Sequence, residues 1–338
     1  MAGRLEPSQV QIAACLASGQ MLFGATAVVG RVGLRASNPL AFSIWRFLFA
    51  APVLELVLAW HKGWSSAIPQ PSRVLLLCAA CLVGANLGMT LGVVLSGQVT
   101  ATAWQPLQLV FTTFFSLILG LESASFQKML GVALGMAGAC IIVFLDPGMW
   151  ENYMEMQSSG WGHLALLVNS LSSSSMVVLR RRLIVGSGLS AMQIMAWTHL
   201  LALPLLILLG LAGNQSVAFR AAACNGCESL TAPPTSSIGW MALAFYTVVP
   251  TMLCQSLMTW SAKHAEPTMI AMFSVLQPLA SASLSWILRS VAPSLRDTLL
   301  PPQWNMLGGL PVMVGVWLVS RASAPPKAKT SPLKTKAS

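Results

Sequence analysis

Ten stretches of about 20 mostly apolar residues follow one another along the chain, at roughly 11–34, 40–60, 73–95, 99–120, 127–145, 161–180, 191–212, 237–261, 268–289 and 304–321. A run of about 20 such residues crosses the hydrocarbon core of a bilayer as a helix. It does so as a helix because, in lipid, every backbone N–H and C=O must find its partner within the protein. The pattern predicts an all-α integral membrane protein with ten transmembrane helices. Composition agrees, since 55% of the 338 residues are hydrophobic and 8% charged, against about 25% charged in a soluble domain. The thinnest boundary lies between the third and fourth spans, joined only by "SGQ" (96–98).

The net charge of +10 is explained by topology rather than by a nucleic-acid partner. With the N-terminus inside, 13 Lys and Arg fall on the cytosolic side and 5 on the other, with Arg46 inside a span. This positive-inside bias places both termini in the cytosol. Residues 1–10 then form a cytosolic N-terminus without a cleavable signal. Residues 147–160 form a non-cytosolic linker, in a stretch with three acids and no Lys or Arg. Residues 323–338 form a basic, disordered cytosolic tail. The closing "KTKAS", with Lys334 and Lys336, resembles a dilysine retrieval signal, which leaves the plasma membrane and an endomembrane (ER or Golgi) both open. Five cysteines fall inside spans as small hydrophobes. Cys224 and Cys227 share a non-cytosolic loop where a disulfide can form. Two thiols are too few for a zinc site, and no cofactor motif is present.

The two halves repeat each other. "WRFLFAAP" (45–52) and "WTHLLALP" (197–204) share Trp and Pro at one spacing, 152 residues apart. "QPL" stands at 105–107 and at 277–279, 172 apart. "MLGVALGMAG" (129–138) and "MLGGLPVMVG" (306–315) share their first triplet and last glycine, 177 apart. The growing offset fits longer loops in a second copy, such as 213–236. Each copy holds five spans, 11–146 and 161–322. Five is odd, so the second copy enters the membrane upside down. Two inverted five-helix repeats are a recurring build of secondary transporters, with the solute site near the midplane where they meet.

The stretches "NPLAFSIWRFLFAAP" (38–52), "TATAWQPLQLVFTTFFSLILGLES" (100–123) and "GVALGMAG" (131–138) resemble the EamA-like branch of the drug/metabolite transporter superfamily, plant and algal members above all, over about residues 11–322. The resemblance implies ten helices, cytosolic termini and alternating-access transport of a small organic solute. One departure stands out. Such proteins close the ninth span with an acid, as Glu122 closes the fourth here, but this chain reads "SWILRSVAPSLRD" (285–297) with Arg289 at that point.

The two Gln-Pro pairs are the leading site candidates. Pro106 and Pro278 each remove a helix hydrogen bond, a loss tolerated in lipid where a neighbour, water or a ligand fills the freed carbonyl. Polar residues stripe one face around each proline: Thr102, Gln105, Gln108, Thr112 and Ser116, then Ser274, Gln277, Ser281 and Ser285, at steps of three and four. Stripes at equivalent places in inverted repeats can line one path. Gln105, Gln108, Gln277, Thr102 and Ser274 are therefore expected in a central cavity, with Trp104 as a stacking surface. The same groups can instead bond helix to helix, for about 0.6–2 kcal/mol each.

Further candidates have two uses each. Arg46, about 10 Å into the second span, either clamps an anionic group or snorkels to the interface or a helix end. His199, near mid-depth, either titrates during transport or bonds a helix carbonyl as a neutral ring. Asn169 heads "NSLSSSS" and borders either the cavity or a neighbouring helix. Trp45 and Trp197 stack on a planar solute or pack. Glu55 is expected to reach the cytosolic interface near Lys62 or Arg73. Gly84, Gly88 and Gly92, and Gly131 with Gly135, read as faces of close helix packing.

An enzyme is not expected, because paired catalytic groups at depth and the common catalytic motifs are missing. The best reading is a secondary transporter of a neutral, zwitterionic or monoanionic metabolite, with solute and lipid bilayer as partners and no nucleic acid. A nucleotide-sugar or sugar-phosphate antiporter is the alternative within transport, and a channel or a membrane scaffold the alternative outside it. Whether the chain forms a homodimer is left open.

Overall fold

A computed structural model describes residues 7–33, 38–66, 68–70, 72–145, 160–217, 220, 229–291 and 304–323. Nine helical elements follow in order among these residues. They are α1 (Gln9–Gly33), α2 (Pro39–Lys62), α3 (Arg73–Ile118), α4 (Phe126–Phe144), α5 (Gly160–Ser187) and α6 (Ala191–Gln215), then α7 (Ser237–His264), α8 (Pro267–Val291) and α9 (Gly309–Ala322), the last entered through a 3-10 turn at Trp304–Gly308. No strand occurs among them. All but residue 160 of the expected linker 147–160, all but residue 323 of the expected tail 323–338, and Cys224 with Cys227 lie outside the described residues.

Polar caps start the apolar helices where the first N–H groups lack intrahelical partners. The Asn38 side chain accepts from Leu40 N at 2.9 Å, and Pro39, whose missing N–H costs nothing there, opens α2. Ser72 caps α3, and Ser190 with Gln193 forms a capping box at α6. Leu208, Phe114, Trp286 and Trp317 remain exposed on the outside, as on helices meant to face lipid. Six segments are long and apolar enough to cross a membrane: Leu40–Lys62, Arg73–Gly92, Gly160–Ser187, Ala191–Gln215, Ser237–His264 and Pro267–Val291. Phe126–Ile142 and Gly309–Ala322 are shorter apolar helices.

The third and fourth expected spans lie in one helical element. Straight, the 46 residues of α3 would reach about 69 Å, roughly twice the hydrocarbon core. They are not straight. Gln105 and Met89 would stand about 24 Å apart on a straight helix, yet Gln105 Nε2 lies 3.8 Å from Met89 Sδ. The helix therefore doubles back between them. Two adjacent residues of α5 mark the two passes, Asn169 bonding Ala85 O at 2.7 Å and Ser170 bonding Trp104 O at 3.4 Å.

Glycine lets α5 sink between those passes. A Cβ added at Gly88 would lie 2.6 Å from Ala165 O, and Gly84 and Gly92 press on Ser172 and Leu166 of the same helix. The packing expected for these glycines is found. Around this centre α1 lies against α7 and α8, α2 against α6, and α4 against α9.

Two prolines reshape their helices in different ways. Pro250 sits in a π-helical segment, Thr247–Cys254, whose five-residue bonding pattern gives Tyr246 O to the Thr251 N–H, and the Thr251 hydroxyl donates to the same carbonyl at 2.9 Å. In α8 a 3-10 turn, Ser274–Leu276, precedes Gln277 and Pro278. There the Gln277 N–H donates to Ser274 O. The carbonyl freed by Pro278 is thus filled by the chain itself.

Candidate functional site

The amide of Gln277 reaches α1, where Nε2 donates to Gln20 Oε1 at 2.6 Å. Gln20 is 5% exposed and its own Nε2 turns to Met258 Sδ of α7 at 3.2 Å, a weak acceptor. Gln105 faces Met89 across the doubled α3. The described contacts thus tie the two Gln-Pro amides to different neighbours. Gln105, Gln108, Ser274 and Gln277 are half-buried, while Pro106 is buried. Ser274 spends its hydroxyl on Ala271 O at 2.6 Å, and Gln108 O accepts from Ser174 at 2.9 Å. Farther along the fourth-span stripe, Thr112 and Ser116 are buried with hydroxyls that have no partner. The side chains of Thr102 and Pro278 lie outside the described part of the structure.

Arg46 points inward rather than snorkelling. Its Nη2 donates to Asn86 Oδ1 of α3, and Asn86 Nδ2 is held on Leu82 O at 2.8 Å. The guanidinium lies 5.4 Å from the Phe47 ring centre. Tyr246 of α7 stands within Coulombic reach, its hydroxyl donating to Thr26 O at 2.6 Å and its ring meeting Phe42 edge-on. Arg46 Nε is buried with no partner. A cation–π contact gives about 0.5–2 kcal/mol and a hydrogen bond to a charged group about 1.5–3. Withdrawing a charge from water costs several kcal/mol, so Arg46 is left undercompensated.

Three other candidates have structural uses. His199 is 1% exposed, stacks on Phe47 (centroids 5.2 Å, 27°) and shares its Nδ1 with Met195 O at 2.8 Å. Asn169 is 8% exposed and ties α5 to α3. Trp197 is buried with its N–H on Ser66 O at 3.2 Å, so it offers no face to a solute. Trp104 donates to His163 Nδ1 at 3.2 Å, and Trp45 to Thr231 O at 3.0 Å, which anchors both indoles. The carboxylate oxygens of Glu55 are buried without a hydrogen-bond partner, and Lys62 turns instead to Gln193 Oε1 at 3.2 Å.

Sequence reasoning missed a charged cluster at the end of the molecule where α3 meets α4. Lys128 Nζ, from a residue only 1% exposed, is 3.0 Å from Glu122 Oε2 and 2.7 Å from Glu266 Oε2. The other oxygen of Glu122 accepts the Thr268 N–H of α8 at 2.8 Å. Arg181 caps the end of α7 through Ala262 O (2.8 Å) and Lys263 O (2.5 Å). Arg180, seven residues before the end of α5, is 3% exposed and donates to Gln255 Oε1 at 2.6 Å. Gln20, Asn86 and Gln255 carry no sequence signal, being single amides in apolar runs. The partners of Lys128 could be suspected only for Glu122, six residues away.

Residues 11–144 match the family described as EamA-like transporter family. Over 326 residues the chain is 24% identical to the "uncharacterized inner membrane transporter YedA" of Escherichia coli strain K12, covering 93% of this chain and 92% of that one. It is 22% identical over 310 residues to an "uncharacterized transporter" of Archaeoglobus fulgidus, covering 90% and 96%. One solved crystal structure shares the fold with a TM-score of 0.69 at 16% identity, over 91% of this chain and 96% of that chain.

Proposed function

We propose that this protein is a secondary transporter, a reading supported by the match of residues 11–144 to the EamA-like transporter family and by similarity over nearly the whole chain to proteins named transporters. It moves a small organic metabolite, neutral, zwitterionic or monoanionic, by alternating access between two inverted five-helix repeats, 11–146 and 161–322. The linker 147–160 joins them, and both termini lie in the cytosol.

Contacts between repeat-equivalent residues carry this reading. Phe47 and His199, 152 positions apart, are the same residue of the two copies, and their rings stack on each other. Gly131 and Gly138 correspond to Gly308 and Gly315. A Cβ at Gly131 would strike Gly315 O and one at Gly315 would strike Gly131 O, while Gly138 and Gly308 oppose each other in the same reciprocal way. Residue i of one copy meeting residue j of the other, and j meeting i, is the signature of a two-fold axis. Helix partners repeat the pattern, for α1 rests on α7 and α8 of the second half as α5 rests on the two passes of α3. Inverted repeats of this type rock against each other around a midplane site. The Lys128 cluster supports one closed end, since it joins Glu122 of the first half to Glu266 of the second.

Exchange in proteoliposomes preloaded with a metabolite mixture tests the reading. Wild-type protein should exchange at least one solute, and the Gln105→Leu/Gln277→Leu double variant should lose that exchange while remaining monodisperse. Exchange no faster than in protein-free liposomes would sink the transporter reading. Full exchange by the double variant would remove both amides from the path.

A further inference from the structure

Two guanidiniums lie inside the bundle with no carboxylate on either among the described residues. Arg46 has Asn86 and Arg180 has Gln255, whereas both ion pairs found belong to Lys128. They stand at opposite depths. Arg46 lies seven residues after the start of α2 and Arg180 seven before the end of α5, about 10 Å from each helix end. The last turns of α2 and α5 share one end of the molecule, where Lys62 meets Gln193 in the first turn of α6. His199 is within Coulombic reach of both cations.

The nitrogens left over define the missing partner. A carboxylate docks side-on with its two oxygens against the parallel Nε and Nη2 of a guanidinium. In Arg180 both of these are buried with no oxygen or nitrogen acceptor, Gln255 having taken Nη1 and the Cys78 thiol lying beside the guanidinium. In Arg46 the single oxygen of Asn86 covers Nη2 and leaves Nε alone. Asn86 thus fills half of a carboxylate's place. A scaffolding purpose for Arg46 is disfavoured by the repeat. Its equivalent is Thr198, whose hydroxyl bonds Ile194 O in its own helix, so α6 packs with no cation there.

We propose that Arg46 and Arg180 are two stations for one carboxylate borne by the solute, and that the transported solute is an organic monocarboxylate. This rests on the transporter reading and narrows its solute class. One guanidinium per station neutralises one charge and would leave a phosphate dianion half-compensated. The half-buried Tyr246 ring offers the first station an aromatic face for an apolar body, with the buried Phe42 and Phe47 packed behind it. Arg46 is half-buried while Arg180 is sealed, so one station is open when the other is shut, as alternating access requires.

Thermal unfolding of the full chain in detergent, with three probes that share a ring and differ in head group, tests the stations. Phenylacetate should raise Tm, and phenylacetamide and phenyl phosphate should not. Arg46→Gln should weaken phenylacetate binding about thirtyfold or more, as loss of one partner of a buried charge pair does, and Arg46→Lys should retain part of it. Asn86→Asp supplies the carboxylate from within. It should raise the Tm of the ligand-free protein and abolish the phenylacetate response, a combination that misfolding cannot produce. Equal stabilisation by phenylacetamide or phenyl phosphate, no response to phenylacetate, or an Asn86→Asp protein that still responds would each overturn the proposal. Exchange of neutral solutes alone in the proteoliposomes would retain the transporter and remove the stations, whereas no exchange of any solute removes both.

Discussion

His199 shows how a membrane-embedded ionisable residue can serve packing. Its Nδ1 has a helix carbonyl, its ring has Phe47, and 1% of it is exposed. Replacing it with Phe keeps the stack and leaves Met195 O its ordinary helix bond. His199→Phe is expected to exchange solute at the wild-type rate with an unchanged pH profile, and a flattened profile would make His199 the coupling group instead. At this scale the sequence disclosed the odd residues but not their partners. Arg46 is conspicuous among apolar neighbours, whereas Asn86, 40 positions on, becomes meaningful only when α2 and α3 are side by side. Lys128 and Glu266 are 138 positions apart, and no local rule joins them.

The apolar runs revealed the helices themselves, because backbone satisfaction in lipid leaves no other regular choice. What each proline does to its helix was not legible, since the freed carbonyl can be met in several ways. In α8 it is met by a 3-10 bond from Gln277, and in α7 by a shift to the π pattern, in which the N–H and the hydroxyl of Thr251 both serve Tyr246 O. The second case yields a test by double-mutant cycle. Thr251→Val removes the second donor to Tyr246 O and should cost about 0.5–1.5 kcal/mol. In a Pro250→Ala background, where residue 250 regains its N–H, the same change should cost much less, and thermal unfolding of the four proteins would show it. Equal costs in both backgrounds would mean that the hydroxyl does not serve that carbonyl. The reversal inside α3 was half legible: "SGQ" marked a weak boundary, but composition did not reveal that helical backbone continues across it.

Across the molecule, the reciprocal glycine contacts make a symmetry prediction. Leu at Gly131 or at Gly308 would press on a backbone carbonyl that cannot turn aside, and overpacking of this kind costs about 1–3 kcal/mol or more. The two variants should lose similar amounts of Tm, because they load two equivalent contacts, Gly131 on Gly315 and Gly308 on Gly138. A large difference would argue against a shared axis. The sequence hinted at this seam through matching "MLG" triplets, yet it could not say that the copies lie on each other rather than apart.

The proposed two-fold axis through one polypeptide also bears on how such a chain could arise. In a pair of identical subunits, a side chain near the axis is always present twice, so an arginine at position 46 would bring its like-charged twin into the same membrane. Joining two copies in one gene lifts that restriction. Each copy can then change alone, and under that proposal Arg46 opposite Thr198 and Phe47 opposite His199 are positions where one half carries chemistry that the other does not.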